Sequence, residues 1–180
     1  GSAGRVVSCP QSTTARPPEV GRTPVGREWL TADMGPSPSS SDELAQLEDL
    51  RRLKARYFRL LDTKDWDGLV EVFTDPVDID VSEDRGGVTT SARAFVDSVR
   101  RALHGAVTVH HGHMPELELT SPTTATGIWA MEDRIWFPEG APVTRLVGQG
   151  HYHETYERTT DGWRIASMRL TRLHRSVEPG

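Results

Sequence analysis

The 180-residue chain has the length of one ordinary domain, and 36% hydrophobic against 26% charged residues suffices for a single core. Its net charge of −5 and pI of about 5.8 leave no basic excess to displace counterions, which excludes nucleic acid as the main partner. The single cysteine, Cys9, excludes a disulfide framework and a zinc ribbon, and no apolar run approaches the roughly 18 residues of a membrane span. A reducing cytoplasm is the expected compartment.

Residues 1–40 are rich in Pro, Ser, Thr and Gly and lack apolar periodicity, so they read as a flexible tail ahead of a folded domain at 41–176. The opening Gly-Ser is compatible with a cloning scar and Met34 with a native start, and no apolar stretch is long enough for a signal peptide. An arm that covers a neighbouring subunit is the functional alternative for this tail.

Ser40 with Glu43 fits a capping box and opens a first helix. Leu44, Leu47, Leu50, Leu53, Tyr57, Leu60 and Leu61 form its apolar stripe, and Arg51, Arg52, Lys54, Arg56 and Arg59 read as the solvated face. Asp65 or Asp67 caps a second helix with Trp66, Leu69, Val70 and Phe73 inward, ending before Pro76. Val77–Val81 alternates like a strand, Asp84-Arg85-Gly86-Gly87 is a turn, and Thr90 or Ser91 caps a third helix over 91–103. From Ala106 the period switches to two: strands are predicted at 107–119 with a bend near Pro115, then at 123–137, 143–158 and 163–174, with Thr160-Asp161-Gly162 as a hairpin turn. Three helices, one early strand and a four-stranded meander make an α+β pattern.

Two proton-handling groups, Tyr57 and Asp62, stand at the corner between the first two helices. On the first long strand His110 shares a face with Thr108 and Gly112, and His111 and His113 share the other. Gly112 is expected to leave room beside His110, as a pocket wall would. On the third strand Gly150, Tyr152, Glu154 and Tyr156 alternate with His151, His153 and Thr155, and on the second Trp129, Met131 and Asp133 share one face. Each candidate also has a structural reading. Asp62 can be a helix-end hydrogen bonder, His110 and Tyr57 core residues, and Asp133 an ion pair with Arg134.

Tyr57…Leu61-Asp62-Thr63-Lys64-Asp65-Trp66-Asp67, Val109-His110-His111-Gly112-His113-Met114-Pro115, and Gly150 to Arg158 followed by Asp161-Gly162-Trp163-Arg164-Ile165 together resemble the SnoaL-like branch of the nuclear transport factor 2-like superfamily. Within that branch the chain resembles scytalone dehydratase and the bile-acid 7α-dehydratases. The resemblance covers about residues 42–175. It implies a cone-shaped α+β barrel, cystatin-like, with three helices on the concave face of a curved, mostly antiparallel sheet. It also implies a dehydratase, isomerase or cyclase without metal or organic cofactor. Asp62 and His110 fall on the family's proton-transfer pair, Tyr57 on an assisting phenol and Asp133 on an acidic partner. Tyr152 is placed inward by the same resemblance. Leu61 and Tyr152 stand where scytalone dehydratase has a tyrosine and an asparagine, so the resemblance does not carry that enzyme's substrate over to this chain.

A neutral imidazole held by a carboxylate can take and return protons near neutrality, and phenols can bind a developing enolate. With Tyr152, Trp129 and Met131 as substrate-binding residues, the expected ligand is a bulky apolar ring system such as a polyketide, steroid or terpenoid. The superfamily uses its outer sheet faces for oligomer contacts, which implies a homodimer or homotrimer and a structural home for the outward histidines. Two rivals stay open. One is a non-catalytic binding or scaffold module, favoured by an unpaired Asp62 or a sealed apolar pocket. The other is a metal enzyme built on His111, His113, His151 and His153, since His151-x-His153-x3-Glu157 matches half of a cupin metal motif.

Overall fold

A computed structural model describes residues 40–84 and 86–180, all within one unit, Pro38–Gly180. The tail expected at 1–40, with Cys9 and Met34, lies outside the described residues apart from Ser40, as does Arg85 of the predicted turn.

Helix α1 (Ser41–Thr63) starts on the predicted capping box: Ser40 Oγ accepts the Glu43 amide and Glu43 Oε2 accepts the Ser40 amide, each at 3.2 Å. It ends where Lys64 turns left-handed at φ 62° and its amide returns to the Leu60 and Leu61 carbonyls. Asp65 then caps α2 (Trp66–Val70) by accepting the Gly68 amide at 3.0 Å.

The second helix was expected to run to 74, but strand β1 already covers Phe73–Asp80. Val72 and Phe73 continue a helical spacing in sequence. In the fold the Val72 carbonyl accepts the Ile165 amide at 2.9 Å and Phe73 pairs with Ile165, so pairing with a distant strand overrides the local period. A short 3-10 turn (Ser82–Asp84) and a two-residue strand β2 (Val88–Thr89) follow, and β2 was not anticipated. Ser91 caps α3 (Ala92–Ala102), whose last turn carries Arg100 and Arg101, complementing the helix dipole.

The remaining strands are β3 (Val107–Leu119), β4 (Thr124–Trp136), β5 (Val143–Thr159) and β6 (Gly162–Pro179). They form the predicted meander, with Gly162 at φ 106° closing the last hairpin. The bend expected near Pro115 is a register shift between His113 and Glu116. Strand β6 runs five residues beyond the predicted end, because 175–179 pair with the start of β5.

The sheet order is β2-β1-β6-β5-β4-β3, antiparallel except for the parallel pair β1–β6. It is a mixed sheet with β2 and β3 at its edges, so the expected cone-shaped barrel reduces to helices packed on a mixed sheet. The inner face carries Trp129, Met131 and Ile135 of β4, Tyr152 and Tyr156 of β5, and Ile165, Met168 and Leu170 of β6. Against it lie Leu50, Leu53, Tyr57, Phe58, Leu60 and Leu61 of α1, and Phe95 and Val96 of α3.

Lys54 corrects the reading of α1. It was assigned to the solvated face but is 0% exposed. Four residues after Leu50 and three before Tyr57, it sits on the apolar stripe itself. Among the described residues no helix is long and apolar enough to cross a membrane.

Candidate active site

The corner between α1 and α2 meets β3 at Asp62. Asp62 Oδ1 lies 2.6 Å from His110 Nδ1, and Oδ2 accepts the His110 amide at 2.9 Å. Thr108, two residues earlier on the same strand face, donates to Asp62 Oδ1 at 2.9 Å, and Lys64 Nζ donates to the Thr108 hydroxyl at 2.6 Å. One carboxylate therefore fixes the ring, the strand and the helix corner together. A carboxylate can only accept, so His110 Nδ1 carries the proton and Nε2 is the nitrogen left to meet a ligand.

Burial pushes the Asp62 carboxyl up, but hydrogen bonds from the His110 ring, the His110 amide and Thr108 outweigh it, leaving Asp62 below its ordinary pKa. Partial burial lowers the Lys64 ammonium, and the Asp62 charge offsets part of that.

His110 lines a cavity of about 280 Å³ together with Tyr57, Leu61, Asp133, Tyr152 and Arg172. Phe95 and Val99 of α3 and its C-cap Leu103, with Ile135 and Leu170 of the sheet, supply its apolar wall, and Asp84, Gly86 and Gly87 reach it from the β1–β2 connection. The Tyr57 and Tyr152 rings meet edge-on at 6.0 Å. Burial, foremost, raises both phenols, with the Glu154 charge adding for Tyr57 and the Tyr57 and Asp133 charges for Tyr152. Both are therefore protonated hydrogen-bond donors at neutral pH. Asp62 is paired and the cavity lining is partly polar, unlike the lining expected of a non-catalytic module.

Asp133 stands opposite His110 on the neighbouring strand. Its partner is Arg172, whose Nη2 lies 2.7 Å from Asp133 Oδ2 and 2.8 Å from Asp84 Oδ2; Arg134, the partner weighed from sequence, pairs with Glu132 instead. Burial opposes the Arg172 charge, but the hydrogen bonds to Asp133 and Asp84 more than offset it and raise its pKa. Arg172 reaches from β6 across β5 to β4 over Gly148, where a Cβ would collide with both Arg172 Nη1 and Asp133 Oδ1. The missing side chain is what lets the two charges meet.

The structure does not bring every predicted residue to the cavity. Trp129 and Met131 are buried behind its lining: the Trp129 indole donates to Tyr156 at 2.8 Å and the Met131 sulfur lies 3.5 Å from Arg172 Nη1. The room expected over Gly112 is filled, since a Cβ there would lie 2.6 Å from the Phe58 ring. His111, His113 and His153 are exposed and His151 is half-buried, on the opposite sheet face. Among the described residues no three His, Cys, Asp or Glu side chains converge as a metal-binding set, so the half-motif His151-x-His153-x3-Glu157 is not assembled into one.

Arg172, Thr108 and Lys64 were missed from sequence. Arg172 follows Leu170 at strand spacing and pairs with Gly150, with its guanidinium over Gly148, and a cation at an inward position beside a strand with two inward glycines was the available clue.

A probable cyclase, FGR4 of Gibberella zeae, is 25% identical over 134 residues, 69% of this chain and 89% of that protein. The crystal structure of a hexachlorocyclohexane dehydrochlorinase, LinA type 2, superposes with a TM-score of 0.67 at 18% identity, covering 77% of this chain and 93% of that one. A Novosphingobium aromaticivorans protein provisionally assigned as a scytalone dehydratase gives 0.67 at 15% identity, covering 76% and 93%. At these identities the two structures establish the shared fold. The model of the SnoaL-like domain matches residues 42–169, so the chain belongs to the SnoaL-like family of the nuclear transport factor 2-like superfamily.

Proposed function

We propose that this protein is a lyase or isomerase that moves protons without a cofactor on a bulky apolar cyclic substrate, such as a polyketide, steroid or terpenoid. The observation that carries the reading is the 2.6 Å contact between Asp62 and His110 Nδ1 at the wall of a partly apolar cavity. His110 Nε2 removes a proton beside a carbonyl, and Asp62 stabilises the imidazolium that forms. Tyr57 and Tyr152 donate to the enolate oxygen. In an elimination the imidazolium then returns its proton to the leaving hydroxyl, which departs as water; in an isomerisation it returns the proton to another carbon. Asp133, held by Arg172 at 2.7 Å, accepts from a substrate hydroxyl and orients it. Trp129 and Met131 support the lining from behind.

Kinship in fold with a dehydrochlorinase and a scytalone dehydratase candidate supports an elimination, and the cyclase relative supports the same enolate chemistry ending in ring closure. On this reading the domain works as a homodimer or homotrimer in the cytoplasm. Assay of cyclic β-hydroxyketones in deuterium oxide tests it, by loss of water and by deuterium appearing beside the carbonyl. Turnover that survives exhaustive chelation and disappears in His110→Ala is expected. Exchange that persists in His110→Ala, or that needs an added metal, overturns the reading.

A further inference from the structure

A second charged pair, which the proposed reaction does not use, lies one layer beneath the cavity. Lys54 and Glu154 have 0% side-chain exposure, and Lys54 Nζ stands 2.5 Å from Glu154 Oε1. Removing two charges from water costs several kcal/mol per ion unless other contacts offset it. The Trp129 indole can only donate, and it gives to the Tyr156 oxygen at 2.8 Å; Tyr156 then gives its own proton to Glu154 Oε2 at 2.5 Å. Lys54 Nζ and the Tyr156 hydroxyl thus reach one Glu154 oxygen each, the arrangement of a buried ammonium–carboxylate pair. Burial lowers the Lys54 pKa, and the Glu154 charge and hydrogen bond work against that.

The rest of the ammonium is covered by aromatic faces. Nζ lies 3.6 Å from the centroid of Tyr152, 4.3 Å from that of Tyr57 and 4.9 Å from that of Phe58. Tyr57 and Tyr152 line the cavity, whereas Lys54 stands behind them. A cation on a ring face is attracted to the π electrons and draws charge from the ring substituents. The chain has only three tyrosines and two lysines; every tyrosine and one lysine belong to this cluster.

We propose that Lys54 is a positioning residue that backs Tyr57 and Tyr152 with positive charge, making their hydroxyls stronger donors to an oxyanion formed in the cavity. Glu154 and Tyr156 hold the ammonium against the rings. The inference rests on the reading of the cavity as an enolate-forming site. It is testable by ligand binding alone, so a failure of turnover and a failure of this idea are separable.

The probe is 2-naphtholate, with naphthalene as the uncharged control. In Lys54→Met/Glu154→Gln the preference for naphtholate over naphthalene should fall about tenfold, and it should not fall when Tyr57→Phe and Tyr152→Phe are already present. An unchanged preference, an equal loss for both probes, or a loss that survives without the two hydroxyls overturns the proposal. Should the double variant not fold, nitrogen-15 lysine NMR of the intact chain decides, since only two side-chain signals arise. Lys54 should appear as an ammonium at neutral pH and shift on naphtholate but not naphthalene binding. A neutral amine, or equal shifts with both probes, contradicts it.

Discussion

The two faces of the sheet carry the same residue types and put them to different uses. On the inner face one histidine, His110, is 8% exposed and locked to a carboxylate. On the outer face His111–His113 and His151–His153 form pairs with ring centroids 5.8 and 6.2 Å apart, and His153 Nε2 shares a hydrogen bond with the Thr171 hydroxyl. The difference is one residue of register, because alternation along β3 sends neighbours to opposite sides. Being a histidine on this strand carries little information; facing Asp62 and the cavity is what makes His110 the candidate base.

The largest effect that separates the faces should come from the dyad. His110→Ala and Asp62→Asn should each lower turnover about 100-fold or more, and together less than the product of the two, because the pair acts as one unit. Steady-state kinetics on the same substrate checks this. Gly148→Ala should come next. Its methyl would strike Arg172 and Asp133, and overpacking of this kind costs roughly 1–3 kcal/mol, readable by thermal melting together with turnover. Tyr57→Phe removes one hydroxyl from a residue whose ring stays packed, so turnover should fall less than in the dyad variants, with an unchanged melting profile.

The same comparison has a pH arm. The folded-state pKa of Asp62 is depressed, so its contribution to stability is fully present above the unfolded carboxylate value and is lost as pH falls through the folded one. Asp62→Asn should therefore flatten the acid side of the stability profile, measured by denaturant unfolding at a series of pH values. The smallest effect belongs to the outer face: His111→Ala and His113→Ala should leave turnover nearly intact and stability within about 0.5 kcal/mol.

Much of this was legible from residues alone. Ser40-x-x-Glu43 announced the first helix, and the switch from a 3.6 to a 2 period at Ala106 announced the meander. The dyad was reached through motif resemblance, and Asp62 and His110 do meet. What escaped was long-range. Lys54 reads as surface until Glu154, a hundred positions away, supplies its partner. Asp133 has Arg134 beside it in sequence, but its partner crosses a strand over a glycine. Phe73 fits a helical stripe until β6 claims it. Gly112 suggests open space until Phe58 is seen to fill it. Periodicity reports which face a side chain takes, and only the packed fold reports what stands opposite.

The central claim is that Asp62 holds His110 so that a basic Nε2 faces the cavity. Nitrogen-15 histidine NMR reads this without a substrate. The account predicts that neutral His110 carries its proton on Nδ1, with a strongly deshielded Nδ1–H resonance that moves to an ordinary position in Asp62→Asn. A neutral His110 protonated on Nε2, or one whose spectrum is indifferent to Asp62→Asn, would contradict it.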